Sequence, residues 1–139
     1  MILADTGFFV ALGNRRDRFH SRTLQVIANL EEPLITTYPV ITETSYLLAR
    51  DAGLMRQLTF LSEVANGTFP VFDLQSHHLV RMVDLMQRYA DLPMDFADAS
   101  LVVLAEDLRE GRILTNDRRD FSIYRWNNTK PFENLLFLE

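Results

Sequence analysis

Ile2-Leu3-Ala4-Asp5-Thr6-Gly7 carries an apolar run that closes on a carboxylate and a glycine. A short apolar run bounded by turn-forming residues reads as a buried strand, so residues 2–5 are expected to form one. The arrangement recurs late in the chain, where Ile113-Leu114-Thr115-Asn116 runs into Asp117, and residues 112–115 are a second expected strand. Between them, Leu34-Ile35-Thr36-Thr37 after Pro33, and Phe69-Pro70-Val71-Phe72 after Gly67, have the same character. Helical spacing fills the intervals. One helix is expected from Asp17 to Leu30, with Phe19, Leu24, Ile27 and Leu30 inward. Another runs from Val40 to Ala52, opened by Pro39, whose missing N–H would be unpaired in a first turn anyway. Met55 to Asn66 follows, then a helix capped by Ser76 carrying Leu79, Val83 and Met86 toward Tyr89. The most apolar helix spans Phe96 to Glu110 and is ended by Gly111. Residues 122–126 and 135–138 read as a further element and a C-terminal strand, and 127–131 as a polar loop. Strands alternating with helices imply an α/β fold, a central, mostly parallel sheet of four to five strands flanked by helices.

The chain has 139 residues, which suits a single domain over 1–139 with a real core. A hydrophobic share of 47% and a charged share of 24% are those of a globular protein. The sequence contains no cysteine, which excludes disulfides, thiolate metal sites and cysteine nucleophiles and fits a cytoplasmic, reducing location. Asp5 interrupts the early apolar run, and Arg15, Arg16 and Arg18 follow it rather than precede it, the wrong order for a signal peptide. No apolar stretch approaches the roughly 20 residues a membrane helix needs. A net charge of −5 argues against a uniformly basic nucleic-acid surface. Lys130 is the only lysine and the other cations are arginines, which bind phosphate as a bidentate fork. Arg15, Arg16, Arg118 and Arg119 follow two of the acidic positions and are the candidates for backbone contacts with a nucleic acid.

Those acidic positions carry the functional argument. In a parallel α/β sheet the carboxyl ends of the strands share one edge, and ligands bind there. Asp5 and Asp117 leave strands; Glu43 and Asp98 enter helices just past Tyr38-Pro39 and Leu92-Pro93. Four carboxylates brought to one edge repel one another unless a cation lies between them, and an all-oxygen donor set selects a hard divalent ion. Each acid also has a structural role open to it: a helix cap for Asp5, a favourable first-turn charge for Glu43 and Asp98, turn chemistry for Asp117. Asp95 reads as the cap of the helix that holds Asp98, or as a further ligand, and Asp120 as a supplement or replacement for Asp117. The three histidines have no metal-ligand spacing and suit surface or cap roles. There is no Gly-Lys-Ser/Thr phosphate loop and no serine in a nucleophile-elbow setting.

Leu3-Ala4-Asp5-Thr6-Gly7, Tyr38-Pro39-Val40-Ile41-Thr42-Glu43-Thr44, Asp95-Phe96-Ala97-Asp98-Ala99 and Leu114-Thr115-Asn116-Asp117-Arg118-Arg119-Asp120-Phe121 together resemble the PIN-domain ribonucleases. The likeness is strongest to the VapC-type toxins of bacterial toxin–antitoxin systems, and it holds in order and spacing from one end of the chain to the other. It implies a Rossmann-like sheet, a Mg²⁺ or Mn²⁺ site, and endonucleolytic cleavage of RNA to 5′-phosphate and 3′-hydroxyl products. By motif position, Asp5, Glu43 and Asp98 would be the core acids and Asp117 the fourth, with Thr6 and Thr115 supporting them. The resemblance further implies a homodimer and an antitoxin protein. A housekeeping ribonuclease or a catalytically silent RNA-binding module would share these motifs. A phosphoacceptor receiver domain is the remaining alternative; it would use Asp73 with Asp5, Thr115 and Lys130, but leaves Glu43 and Asp98 without a role.

Overall fold

The protein is described by a computed structural model covering residues 1–138. The elements run β1 (Ile2–Ala4), α1 (Thr6–Gly13), α2 (His20–Ala28), β2 (Leu34–Thr37), α3 (Tyr38–Ala52), α4 (Leu54–Ala65), β3 (Val71–Phe72), α5 (Ser76–Arg88), α6 (Phe96–Leu108), β4 (Arg112–Leu114), α7 (Arg118–Ile123), β5 (Arg125–Trp126), β6 (Lys130–Pro131) and β7 (Glu133–Asn134). A 3-10 turn, Leu135–Phe137, follows β7. Five strands form one sheet in the order β3-β2-β1-β4-β7, every neighbouring pair parallel. The α/β architecture expected from the sequence is therefore the one found.

β1 is apolar on both faces because it lies at the centre of the sheet with helices on either side. The chain builds outward from it to β2 and β3, then returns through α5 and α6 to place β4 on its other side. The strand order reverses between β1 and β4, and this is where a doubly wound sheet opens a crevice. α6 supplies the largest block of core, with Leu101, Val102, Leu104 and Ala105 fully buried. Burial of a single leucine side chain is worth about 1.5–3 kcal/mol.

Several local expectations are corrected. Residues 6–13, which show no periodic pattern, form α1; it is buried nearly all round, through Phe8, Phe9, Val10 and Ala11, so no polar face marks it. α2 begins at His20 rather than Asp17, whose carboxylate instead accepts from the Phe19 amide in a turn. Its most buried position is Thr23, and Leu24 is exposed. In α5 the inward line is His78, Met82 and Leu85, while Leu79 and Val83 face out. The reason lies at the cap: Gln75, not Ser76, closes the helix, and its amide donates to Nδ1 of His78, turning the ring inward against Phe72. α6 ends at Leu108, where Arg109 takes the left-handed conformation (φ 53°). Gly111 serves another purpose: a Cβ there would meet Nε1 of Trp126 at 2.6 Å. The C-terminal strand is 133–134 instead of 135–138. The expected loop 127–131 contains the three-residue connection, 127–129, of a β5–β6 hairpin, with Asn127 and Asn128 both at positive φ.

Among the described residues, no helix is long and apolar enough to cross a membrane.

Candidate active site

Register places the first acid. Ala4 pairs with Leu114 across the β1–β4 ladder, and the Asp5 amide extends it by donating to the Leu114 carbonyl at 3.0 Å. Asp5 and Thr115 thus leave adjacent strands side by side. The Thr115 hydroxyl donates to Asp5 Oδ2 at 2.7 Å and accepts from the Asp117 amide at 3.0 Å. One buried hydroxyl therefore fixes two acid-bearing turns. Asp5 Oδ1 accepts from the Thr6 amide at 2.7 Å, so Asp5 also caps α1. Asn134 of β7 braces the same corner: its carboxamide donates to the Thr115 carbonyl and accepts from the Thr115 amide.

The remaining acids come from helix starts. Asp95 caps α6, with Oδ1 accepting from the Asp98 amide at 2.7 Å, which puts Asp98 in the first turn. Asp117 caps α7 in the same way, accepting from the Asp120 amide at 3.0 Å. Glu43 is the sixth residue of α3 and so lies in its second turn rather than its first. Asp5, Glu43, Asp95, Asp98, Asp117 and Asp120 all line one cleft of about 350 Å³, together with Thr6, Gly7 and Asn116. Asp98, Asp117 and Asp120 come closest, with carboxylate oxygens all within 4.8 Å of one another. Gly7 is needed for this packing, because a Cβ at that position would fall inside the Asn116 carboxamide.

The electrostatics follow from the crowding. Burial pushes the Asp5 carboxyl up to about 6; Glu43 and Asp117 add to the rise, and the bonds from Thr115 and Thr6 oppose it. Asp98 is raised to about 8 by burial first and then by Asp5, Asp95 and Asp117. Asp117 is raised as well, mainly by burial. Titratable groups perturbed by burial and like charge mark functional clefts. No cation of the protein is paired with these acids: among the described residues, every ion pair lies elsewhere. The donor set is all carboxylate, which fits a hard divalent ion.

Not every candidate reaches the cleft. Arg15 and Arg16 follow the far end of α1, about 12 Å along its axis from Asp5, and line a separate cleft with Asp51 and Arg56. Arg118 is packed over the Phe137 ring at 4.5 Å, while Arg119 is close enough to Asp117 to oppose the rise in its pKa. Asp73 lies past the edge strand β3, two strands from β1, and Lys130 sits on the hairpin over Trp126. The receiver arrangement of Asp5, Asp73 and Lys130 is therefore not assembled. Among the histidines, His78 has the cap role, and His20 bonds the Ala11 carbonyl. Two residues at the site had no sequence signal. Asn134 falls between the expected loop 127–131 and the expected strand 135–138, and Tyr124, whose hydroxyl donates to Asp98 Oδ2 at 2.8 Å, lies inside the element expected over 122–126 with nothing to single it out.

The fold and the acidic cleft at its switch point agree with a family match over residues 2–127, the PIN domain, and the chain belongs to that family. Among individual proteins it is 29% identical to Ribonuclease VapC26 of Mycobacterium tuberculosis (strain ATCC 25618 / H37Rv) over 124 residues, 89% of this chain and 92% of that one. Its fold matches the crystal structure of Mycobacterium tuberculosis VapC20, described as a sarcin-ricin loop cleaving toxin, with a TM-score of 0.74 at 20% identity, covering 81% of this chain and 87% of the other.

Proposed function

We propose that this protein is a metal-dependent endoribonuclease of the VapC type, the toxin of a toxin–antitoxin pair. The observation that carries the reading is the cleft that gathers Asp5, Glu43, Asp98, Asp117 and Asp120, none of which forms an ion pair among the described residues. The similarity to Ribonuclease VapC26 over most of both chains supports RNA as the substrate.

Asp98, Asp117 and Asp120 would hold a Mg²⁺ or Mn²⁺ ion, with Asp5 and Glu43 completing the acidic wall. When bound, the ion supplies charge neutralisation at the phosphate and a more acidic attacking water. The chain's own residues do the rest. Thr115 holds Asp5 against β4, Asp95 holds the first turn of α6, and Asp117 holds the first turn of α7, so the carboxylates are in place before substrate arrives. Arg119 would meet an RNA phosphate, a role supported by its nearness to Asp117. The protein acts as a homodimer and is restrained by an antitoxin. Exposed Tyr38, Tyr46, Leu79 and Phe96 line one groove beside the cleft, an apolar surface of the kind a second copy covers.

The test is incubation of purified protein with total cellular RNA and Mg²⁺ or Mn²⁺, with EDTA and Asp5→Asn as controls. Discrete fragments that need the ion and vanish in the variant are expected. Equal cleavage by Asp5→Asn, or cleavage that persists in EDTA, overturns the assignment.

A further inference from the structure

The three acids that come closest belong to two separate parts of the chain. Asp98 is on α6; Asp117 and Asp120 are on α7. Each pair of neighbours within an element is tied by its own cap, but caps do not hold one element against another. Among the described residues, one hydrogen bond joins α6 to the α7 segment: the Tyr124 hydroxyl donates to Asp98 Oδ2 at 2.8 Å. The Tyr124 backbone amide meanwhile donates to the Asp120 carbonyl at 2.9 Å and closes α7. A single residue therefore grips both halves of the cluster.

We propose that Tyr124 is a positioning residue for the metal site, setting the orientation of the Asp98 carboxylate relative to Asp117 and Asp120. The inference rests on the reading of Asp98 as a metal ligand.

Three features make tyrosine suited to this task. The side chain is fully buried, and the ring is fixed edge-on against both Tyr89 and Phe121, at 5.2 and 5.1 Å between centroids. The hydroxyl is therefore delivered at one place, since the ring has no room to swing. The donor is also neutral. A lysine or arginine in its place would orient the carboxylate but cancel its charge and compete with a cation, whereas a phenol binds one oxygen and leaves the negative charge available. The bond is directional too: it occupies Oδ2, which settles which carboxylate oxygen is tied to the protein. Outer-shell partners of this kind typically change metal affinity about 10- to 100-fold.

The experiment measures Mn²⁺ binding to the RNA-free protein, by electron paramagnetic resonance of the free ion, for wild type, Tyr124→Phe, Tyr89→Phe and Asp98→Asn. Melting temperatures of the metal-free proteins are recorded alongside. Tyr124→Phe keeps the ring and loses only the hydroxyl. Its Mn²⁺ affinity is expected to fall about 10-fold, and the Mn²⁺ concentration for half-maximal RNA cleavage to rise by the same factor, while KM for RNA at saturating Mn²⁺ stays put. Tyr89→Phe disturbs the same aromatic cluster without touching Asp98 and is expected to bind Mn²⁺ as wild type does. Wild-type affinity in Tyr124→Phe overturns the proposal, and so does an equal loss in Tyr89→Phe, which would make the effect one of packing. Undiminished Mn²⁺ binding by Asp98→Asn overturns the underlying assignment of Asp98 instead.

Discussion

Without a bound cation, this protein should become less stable as the pH rises from about 4 to 8, and Asp5 allows the size of the first part to be worked out. Its carboxyl is pushed from 3.8 to about 6 by burial in the fold. Below about pH 4 the folded and unfolded chains both hold the proton. Between about 4 and 6 the folded chain keeps a proton that the unfolded chain has released, so stability falls with rising pH by about 1.36 kcal/mol per unit. The full loss from Asp5 is about 3 kcal/mol. An unfolding entropy of about 2.1 cal/mol/K per residue over 139 residues converts this to a drop of about 10 °C in Tm. Asp98, raised to about 8, continues the decline over the next two pH units. The groups held low act elsewhere: Glu32, drawn down to about 2 by Arg112, changes its ionisation below this window. The assay is thermal unfolding in EDTA from pH 4 to 8.5, repeated with excess Mg²⁺. The EDTA curve should fall and the Mg²⁺ curve should lie above it most at high pH, because an ion that binds only the folded, ionised site stabilises it by mass action. A Tm in EDTA that is flat or rises between pH 5 and 8 would refute the claim that the cluster is buried and uncompensated.

Other residues give sharper local tests. Gly7→Ala should displace the Asn116 side chain from the cleft; a cost of about 1–3 kcal/mol in urea unfolding and a loss of RNA cleavage are expected, and wild-type values for both would show the contact to be dispensable. Asp95→Ala should cost about 1 kcal/mol through the lost α6 cap yet leave a functional metal site; complete loss of Mn²⁺ binding would make Asp95 a ligand instead. The double substitution Arg15→Ala, Arg16→Ala should leave RNA cleavage rates within about twofold of wild type, since both residues lie in a different cleft from the acids; a large rise in KM would contradict that placement.

The acids were legible in the sequence because each has a local cause. A carboxylate after an apolar strand, or just past a helix-starting proline, needs no tertiary information to place, and all strands of a parallel sheet deliver their ends to one edge. Helical phase was harder. In α5 the stripe Leu79–Val83–Met86 and the true line His78–Met82–Leu85 differ by one residue, and both satisfy the period. The choice was made by His78 turning inward to cap the helix, an interaction with Gln75 and Phe72 that periodicity cannot register. α1 was hidden for the opposite reason, since a helix buried on all sides presents no alternation. The arginines were misplaced with it: Arg15 and Arg16 are ten and eleven residues from Asp5 in sequence, but a helix directed away from the edge lies between. Tyr124 and Asn134 act by touching residues far off in the chain, and their own neighbourhoods carry no trace of it.

The bond between Thr115 and Asp5 spans 110 residues, and it has a consequence for the timing of synthesis. Strand β1 emerges first but is flanked by β2 and β4, so its second neighbour and the acids Asp98, Asp117 and Asp120 arrive only after β2 and β3 have been made. At about 5–20 residues per second, a growing chain carries Asp5 for roughly 6 to 20 seconds before Asp117 exists to stand beside it. A nascent polypeptide of this sequence thus lacks the assembled acidic cluster until Asp117 and Asp120, near its C-terminal end, have been made.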